Sequence, residues 1–459
     1  MIDNSKEKNS NWVKCTIPDI IGNDGLFCDG DWVESKDQDP NGEIRLIQLA
    51  DVGDGNFRNK SNRFLNRATA KRLNCTYLEE NDILLARMPD PIGRACIFPL
   101  KGENKYVTVV DIAVIRPSKE INPKFLLYCI NNGVFRSKIE QLQSGTTRKR
   151  ISRGNLAQIE FYLPPLAEQH RIVAKIEELF SELDKGIEML QTARQQLKVY
   201  RQAVLKWAFE GKLTNPELPI GQIPSDWYEK RLEDITDKIT DGEHFRPKTV
   251  ESGVPFLSAK DVKSNGVSFE DPLFINQETA DKALKRCGPQ RGDILIVSRG
   301  ATVGRMCLVD TDKTFCLLGS VILIKTNSII ENKYLLYYLK SAKVNQILIK
   351  VSGATAQQAI YLRDIKSIPI LLPTIIEQRL IVEEIESRLS ICEATELIID
   401  QELKKIDSVR QSILKRAFEG KLTIQDPGDE PASVLLKKIK QNGAQVGAAK
   451  IKRSKTSAL

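Results

Sequence analysis

The chain has 459 residues, 41% hydrophobic and 28% charged, enough for two or three domains with cores of their own. Its formal charge of +8 is lopsided: Lys437, Lys438, Lys440, Lys450, Lys452, Arg453 and Lys455 follow the last acidic residue, Glu430, and leave residues 1–430 at only +1. Net charge therefore says little about nucleic acid, while nine scattered cysteines without a CxxC pair and the lack of a signal-like or membrane-length apolar run exclude a disulfide scaffold and lead us to expect the reducing cytoplasm.

Taken in order, the chain opens on a Trp and a short polar segment ending in Asp-Ile (NWVKCTIPDI, 11–20), then a strand-like run ending in Asp-Val (GEIRLIQLADV, 42–52). Arg58, Lys60, Arg63, Arg67, Lys71 and Arg72 follow with no acid among them. A buried-strand pattern comes next (NDILLARMPDPIGRA, 81–95), then a helix-like INPKFLLYCI (121–130) and a second basic cluster, Arg148-Lys149-Arg150, behind a Gly in an expected loop. Short apolar runs bounded by Gly, Pro, Asn and Asp predict a mainly β domain with a few helices.

Residues 163–214 then read as one long helix. Ile176, Leu183, Leu190, Leu197 and Val204 are seven apart, the repeat that keeps one seam on a partner helix. Pro before it fits a helix start, and the Gly of FEGK fits a left-handed stop. A Pro-rich linker, 214–227, follows, and then the whole order returns. DWYEKRLEDI (226–235), SGVPFLSAKDV (252–262), GDILIVSRGATVGRM (292–306), IENKYLLYYL (330–339) and SGATAQQAI (352–360) match the earlier segments in turn. A second helix, 372–423, aligns with the first without a gap, with 20 identities in 52 positions and the same closing AFEGKLT. Its seam is Ile385, Cys392, Ile399, Ile406 and Ile413. The chain is thus one half duplicated, with a short helix expected at 432–441 and a basic disordered tail beyond.

Chemistry is sparse. Gly53 and Gly55 form a lone GxG, there is no P-loop, and the only two histidines, His170 and His244, lie in unrelated contexts. Pro18-Asp19 with Glu34 and Lys36, and Pro89-Asp90 with Glu103 and Lys105, could be read as nuclease carboxylates around Mg²⁺. Neither set recurs in the second half, so a stand-alone Mg²⁺-dependent nuclease or single-chain restriction-modification enzyme is kept as the alternative reading. The basic clusters carry more weight. Their counterparts in the second half differ chemically: His244, Arg246 and Lys248 in DGEHFRPK, and Gln357-Gln358 in place of the Arg148 cluster. Arg and Lys suit phosphates and guanine edges, and Gln suits adenine edges.

The chain resembles the specificity subunits of type I restriction-modification systems. The resemblance is carried by LPPLAEQHRIVAKIE and LPTIIEQRLIVEEIE, the two AFEGKLT ends, IPSDW, DGEHFRPK…PFLSAKDV, GDILIVSRGATVGR and DEPAS, and covers residues 11–435. It implies an α+β fold with a pseudo-two-fold repeat. Target recognition domains at 1–162 and 215–371 alternate with spacer helices at 163–214 and 372–425 that pack as an antiparallel coiled coil, and 426–459 form a short helix and tail. It further implies a non-catalytic subunit that reads a bipartite site in double-stranded DNA. Two methyltransferase subunits and the restriction subunits would be its partners, and S-adenosylmethionine, ATP and Mg²⁺ would bind those partners; no cofactor or metal is expected on this chain. The expected DNA contacts are Arg58, Lys60, Arg63, Arg148, Lys149 and Arg150 in the first half. In the second they are His244, Arg246, Lys260, Arg299, Gln357 and Gln358. Glu168, Gln169, Glu377 and Gln378, with the seam residues, are expected to form the partner-binding helical frame. Arg87 and Arg299 follow matching strands, so either could instead be an anchor.

Overall fold

The computed structural model describes residues 11–145, 148–219, 221–352 and 359–441. The chain divides into two compact units, Met1–Glu188 with Glu402–Leu459, and Met189–Gln401.

In the first unit, Ile83–Ala86 lies between Ile112–Arg116 and Ala95–Ile97, with Leu26–Asp29 on the outer side of Ile112–Arg116, all antiparallel. All four residues of Ile83–Ala86 are buried, because side chains alternate across a strand covered on both faces: Ile83 and Leu85 join one core, Leu84 and Ala86 another. A three-stranded mixed sheet orders Phe64–Leu65, Ile44–Ile47 and Tyr106–Thr108. The second unit repeats this plan. Ile294–Val297 takes the central place between Val321–Thr326 and Met306–Leu308, with Thr236–Asp241 outermost, and Val254–Leu257 sits between Leu273–Ile275 and Cys316–Leu317.

Each domain is closed by pairing its first and last strands: Val13–Cys15 with Phe161–Leu163, and Tyr228–Arg231 with Pro369–Leu372. The last strand leads directly into a long helix, Leu166–Phe209 or Ile375–Phe418, each of 44 residues. Both helices stop as the sequence predicts. Gly211 and Gly420 adopt φ of +78° and +70°, and Lys212 N–H and Lys421 N–H reach back to Trp207 O and Arg416 O at 2.9 Å. This is the left-handed, carbonyl-satisfying stop for which glycine is suited.

The seam is buried at some positions and half-buried at others. Ile176 and Val204 are buried while Leu183, Leu190 and Leu197 are partly so; in the other helix Ile385, Cys392 and Ile399 are buried, Ile406 and Ile413 partly. The two helices pack antiparallel. Asp184 pairs with Arg410 within the first unit, and Arg194 with Asp400 (3.4 Å) and Arg201 with Glu396 (2.9 Å) within the second, the partners running in opposite directions. Such half-exposed ion pairs contribute about 0–1 kcal/mol each. Phe418 packs on Phe125 at 5.4 Å in the first unit, and Phe209 packs on Tyr334 and Tyr338 at 5.3 and 5.1 Å in the second.

Residues 432–441 are helical, and Ala432, Leu435, Leu436 and Ile439 are buried against the first domain. The basic tail expected beyond lies outside the described residues. All nine cysteines are free, and seven are buried; burial pushes the Cys15 thiol up to about 12, so they pack as small hydrophobes. Among the described residues no helix is long and apolar enough to cross a membrane.

Candidate nucleic-acid interface

The Asp-Val segment organises the basic loop of the first domain. Asp51 is fully buried, and its Oδ1 accepts from Lys60 N and Ser61 N at 2.6 and 2.7 Å while Oδ2 accepts from Gln48 N at 2.8 Å. Arg45 clasps the same loop through Asn59 Oδ1 and Ser61 O. The result presents Arg58, Lys60 and Arg63 outward, all exposed. Arg72 is spent differently, bonding Asp37 at 2.5 Å, and Arg67 pairs with Glu43 at 3.1 Å. In the second domain Asp261 repeats the device, its Oδ2 accepting from Ser258 N at 2.8 Å. The Lys260 beside it bonds the Asp271 carboxylate at 2.8 Å and its carbonyl at 2.7 Å.

The second basic cluster sits on a hairpin closed by Ser144 and Arg150, whose backbones exchange two 2.8 Å hydrogen bonds. Gly145 has φ +100°, and a Cβ there would lie 2.4 Å from Arg148 O, so the turn requires glycine. Arg148 and Lys149 are exposed at its tip, and Arg150 leans to Asp111 at 3.7 Å. Arg87 holds the base: its Nε donates to Ile151 O at 3.0 Å, and its carbonyl accepts from Ile151 N. It is buried and paired with Asp29 at 2.6 Å, so Arg87 is an anchor. The second domain carries Ser298 at this place, its carbonyl accepting from Ile360 N at 2.9 Å. Arg299 stands one position further on, exposed and bridged by backbone to Ala359. Gln357 and Gln358 lie outside the described residues.

An open cleft of about 740 Å³ joins these elements in the first domain, with Arg148, Arg150, Asp111, Asp31, Trp32, Glu34 and Gln48 in its lining. Gln48 also lines a neighbouring cleft with Arg63 of the basic loop. Of the turn Asp31–Glu34 the sequence singles out Glu34 alone, as a nuclease carboxylate and not as a DNA contact. The turn's signal is the Asp29-Gly30 step, which returns as Asp241-Gly242 just before His244. His244 and Arg246 are exposed, and His244 Nε2 accepts from Arg286 at 2.6 Å, since a guanidinium offers only donors.

The paired Glu and Gln at each helix start face inward. Glu168, Gln169 and Gln378 are buried. Gln169 Oε1 accepts from Asn122 N at 3.0 Å while its Nε2 donates to Pro164 O at 3.0 Å. Gln378 does the same with Glu331 N (2.7 Å) and Pro373 O (2.9 Å). Burial pushes the Glu168 carboxyl upward, opposed by the Trp12 indole that bonds it. Elsewhere Asp19 is engaged with Thr16, through N at 3.0 Å and Oγ at 2.8 Å, and no group of three or more His, Cys, Asp and Glu could hold a metal ion among the described residues.

A duplicated α+β domain, each copy opening into a long helix and each bearing an exposed basic or mixed loop cluster, defines a class of two-domain proteins built on a helical frame. The family model for the type I restriction modification DNA specificity domain matches residues 9–196 and 224–405, and the chain belongs to that family. It is 29% identical over 357 residues to the EcoKI specificity subunit of Escherichia coli K12, covering 75% of this chain and 76% of that one. Identity to the MjaVIII specificity subunit of Methanocaldococcus jannaschii is 24% over 359 residues, 76% and 81% of the two chains. In fold it is similar to the HsdS subunit from Thermoanaerobacter tengcongensis, with TM-score 0.59 and 19% identity over 92% of this chain and all of that one. A chain from a type I restriction-modification assembly is likewise similar, with TM-score 0.63 and 19% identity over 90% and 99%.

Proposed function

We propose that this chain is the DNA-reading subunit of a type I restriction-modification complex, each domain recognising one half of a split site. The observation that carries the reading is one skeleton used twice with different side chains at equivalent loops. Arg148 and Lys149 are exposed on a hairpin whose partner segment in the second half reads Ala356-Gln357-Gln358. The unbroken helices serve as the spacer between half-sites and as the docking frame for two methyltransferase subunits and the restriction subunits. The chain itself performs no catalysis in this reading. S-adenosylmethionine, ATP and Mg²⁺ act on the partner subunits, and the complex works in the cytoplasm. Exposed Arg and Lys supply the salt-dependent phosphate attraction, and base-edge contacts supply the word.

The test is genome-wide mapping of adenine methylation with and without the gene. Loss of a split, asymmetric motif on deletion is expected; loss of a continuous palindrome, or no change, overturns the reading. The nuclease alternative is checked separately: DNA cleavage by the purified chain with Mg²⁺ alone would restore it.

A further inference from the structure

The turn after the Asp-Gly step is the same structural object in both domains. In the first, Asp31 N donates to Thr108 O at 2.8 Å, and Asp31 O accepts from Val110 N at 2.9 Å. In the second, Glu243 N donates to Leu317 O at 2.8 Å, and Glu243 O accepts from Gly319 N at 2.7 Å. The glycine before each turn lies against the neighbouring strand. A Cβ on Gly30 would stand 2.2 Å from Val109 O, and one on Gly242 would stand 2.1 Å from Leu317 O. The backbone hydrogen bonds are therefore equivalent, and residue can be matched to residue: Asp31 with Glu243, Trp32 with His244, Val33 with Phe245, Glu34 with Arg246.

What differs is what each turn offers. Trp32 is 67% exposed and Phe245 87% exposed, at adjoining positions of the matched turns. Glu34 and Arg246 are both exposed and opposite in charge. In the first domain the turn and the Arg148–Arg150 hairpin line the same cleft. A groove for phosphate alone would be lined by cations; this one also holds three acidic residues, Asp31, Glu34 and Asp111, and an indole. That mixture suits a base. Carboxylates accept from the amino groups of cytosine or adenine, guanidiniums donate to guanine, and an exposed aromatic covers the contact from water.

We infer that this turn is a base-reading element of each domain, with Glu34 selecting a base that presents an amino group and Arg246 selecting guanine. Trp32 and Phe245 are the apolar surfaces that flank those contacts. Glu34 is held ready by Lys36 at 2.6 Å and by the Trp32 indole at 3.3 Å, and a base amino group would replace one of these donors. The inference rests on the proposed DNA-reading function and deepens it by naming residues that choose the word.

The experiment uses the full chain co-purified with its partner subunits, bound to a library of random 40-base-pair duplexes and read by sequencing. Wild type is expected to enrich a split word. Glu34→Ala should lose preference at one position of one half-site, by about ten-fold or more, and leave the other half-site intact. Arg246→Ala should do the converse. Glu34→Gln keeps the shape and removes the charge, so it should shift the preferred base at that same position. If both alanine variants enrich the unaltered word, the inference is overturned while the DNA-reading function stands. If wild type enriches no word, the proposed function fails and this inference with it.

Discussion

The indole Nε1 of Trp12 donates to Glu168 Oε2 at 2.8 Å, joining the residue just before the first strand of a domain to the first turn of the helix that follows, 156 residues later. Trp227 and Glu377 repeat the bond at 3.0 Å. Beside each, a buried Gln carboxamide bonds a backbone N–H of its domain through Oε1 and a proline carbonyl through Nε2. Indole, carboxylate and carboxamide form a lock that sets each domain on its helix.

Removing the carboxamide should therefore loosen that lock. Gln169→Ala leaves Asn122 N–H and Pro164 O without their buried partner, at about 1–3 kcal/mol per orphaned group. Chemical denaturation should show a lowered midpoint, and Gln378→Ala should match it. An unchanged midpoint for either variant would mean that water replaces the amide freely.

Gly186 offers a change of opposite sign. It lies within the first long helix, and a Cβ there would meet nothing within 4 Å. Gly186→Ala should raise stability by roughly 0.5–1 kcal/mol, because glycine loses more backbone freedom on entering a helix. Thermal melting checks it.

Alanine at Arg148 and Lys149 together should weaken DNA binding and flatten its salt dependence by roughly one unit of slope for each phosphate that is no longer neutralised. The recognition change should be confined to one half-site. Titrations at several salt concentrations on wild-type and half-scrambled duplexes would show this, and equal weakening at both half-sites would argue against two independent readers.

Seven residues inserted in each long helix, after Gly186 and after Ser408, keep the seam in phase and lengthen each rod by about 10 Å. Methylation mapping should then report both half-site words intact with more base pairs between them. An unaltered spacing would remove the spacer role from the helices.

Burial pushes the Asp31 carboxyl up to about 6, opposed by the Thr76 N–H and the Cys75 thiol that bond it. The folded chain thus keeps a proton, between its ordinary value near 4 and about 6, that the unfolded chain has released. This contribution to stability is present at the acid end of that window and is lost as pH rises through it. Asp31→Asn should flatten that slope and be more stable than wild type at pH 8, as followed by denaturation at several pH values.

The helices and the duplication are legible in the sequence because a seven-residue phase and a shared AFEGKLT survive any change of loop. The strand order of each domain is only partly so, since runs such as Ile83–Ala86 are apolar throughout and carry no alternation. Arg87 and Arg299 look alike along the chain, yet the spatial counterpart of Arg87 is Ser298; a one-residue offset in a loop is invisible without the hydrogen bonds around it. Trp32 escapes notice as a DNA contact for a different reason, and Glu34 is noticed only as a nuclease carboxylate. They are not basic, and a search for cations passes over the acidic and aromatic side of a mixed cleft. Glu168 and Gln169 are expected in the partner-binding helical frame, and only the indole and the backbone N–H that meet them show that they point inward.

The glycine before each turn has a consequence for how the protein can change. With a carbonyl 2.2 Å from any added Cβ, Gly30 admits no substitute, while Trp32, two residues on, has open solvent over most of its surface. A saturation library across residues 29–36 should therefore give a step profile: near-total intolerance at Gly30, then broad tolerance of folding from Trp32 to Glu34, with methylation specificity drifting among the survivors. The same step should recur at Gly242. Selection for a new word could then act on a few neighbouring codons without putting the rest of the domain at risk.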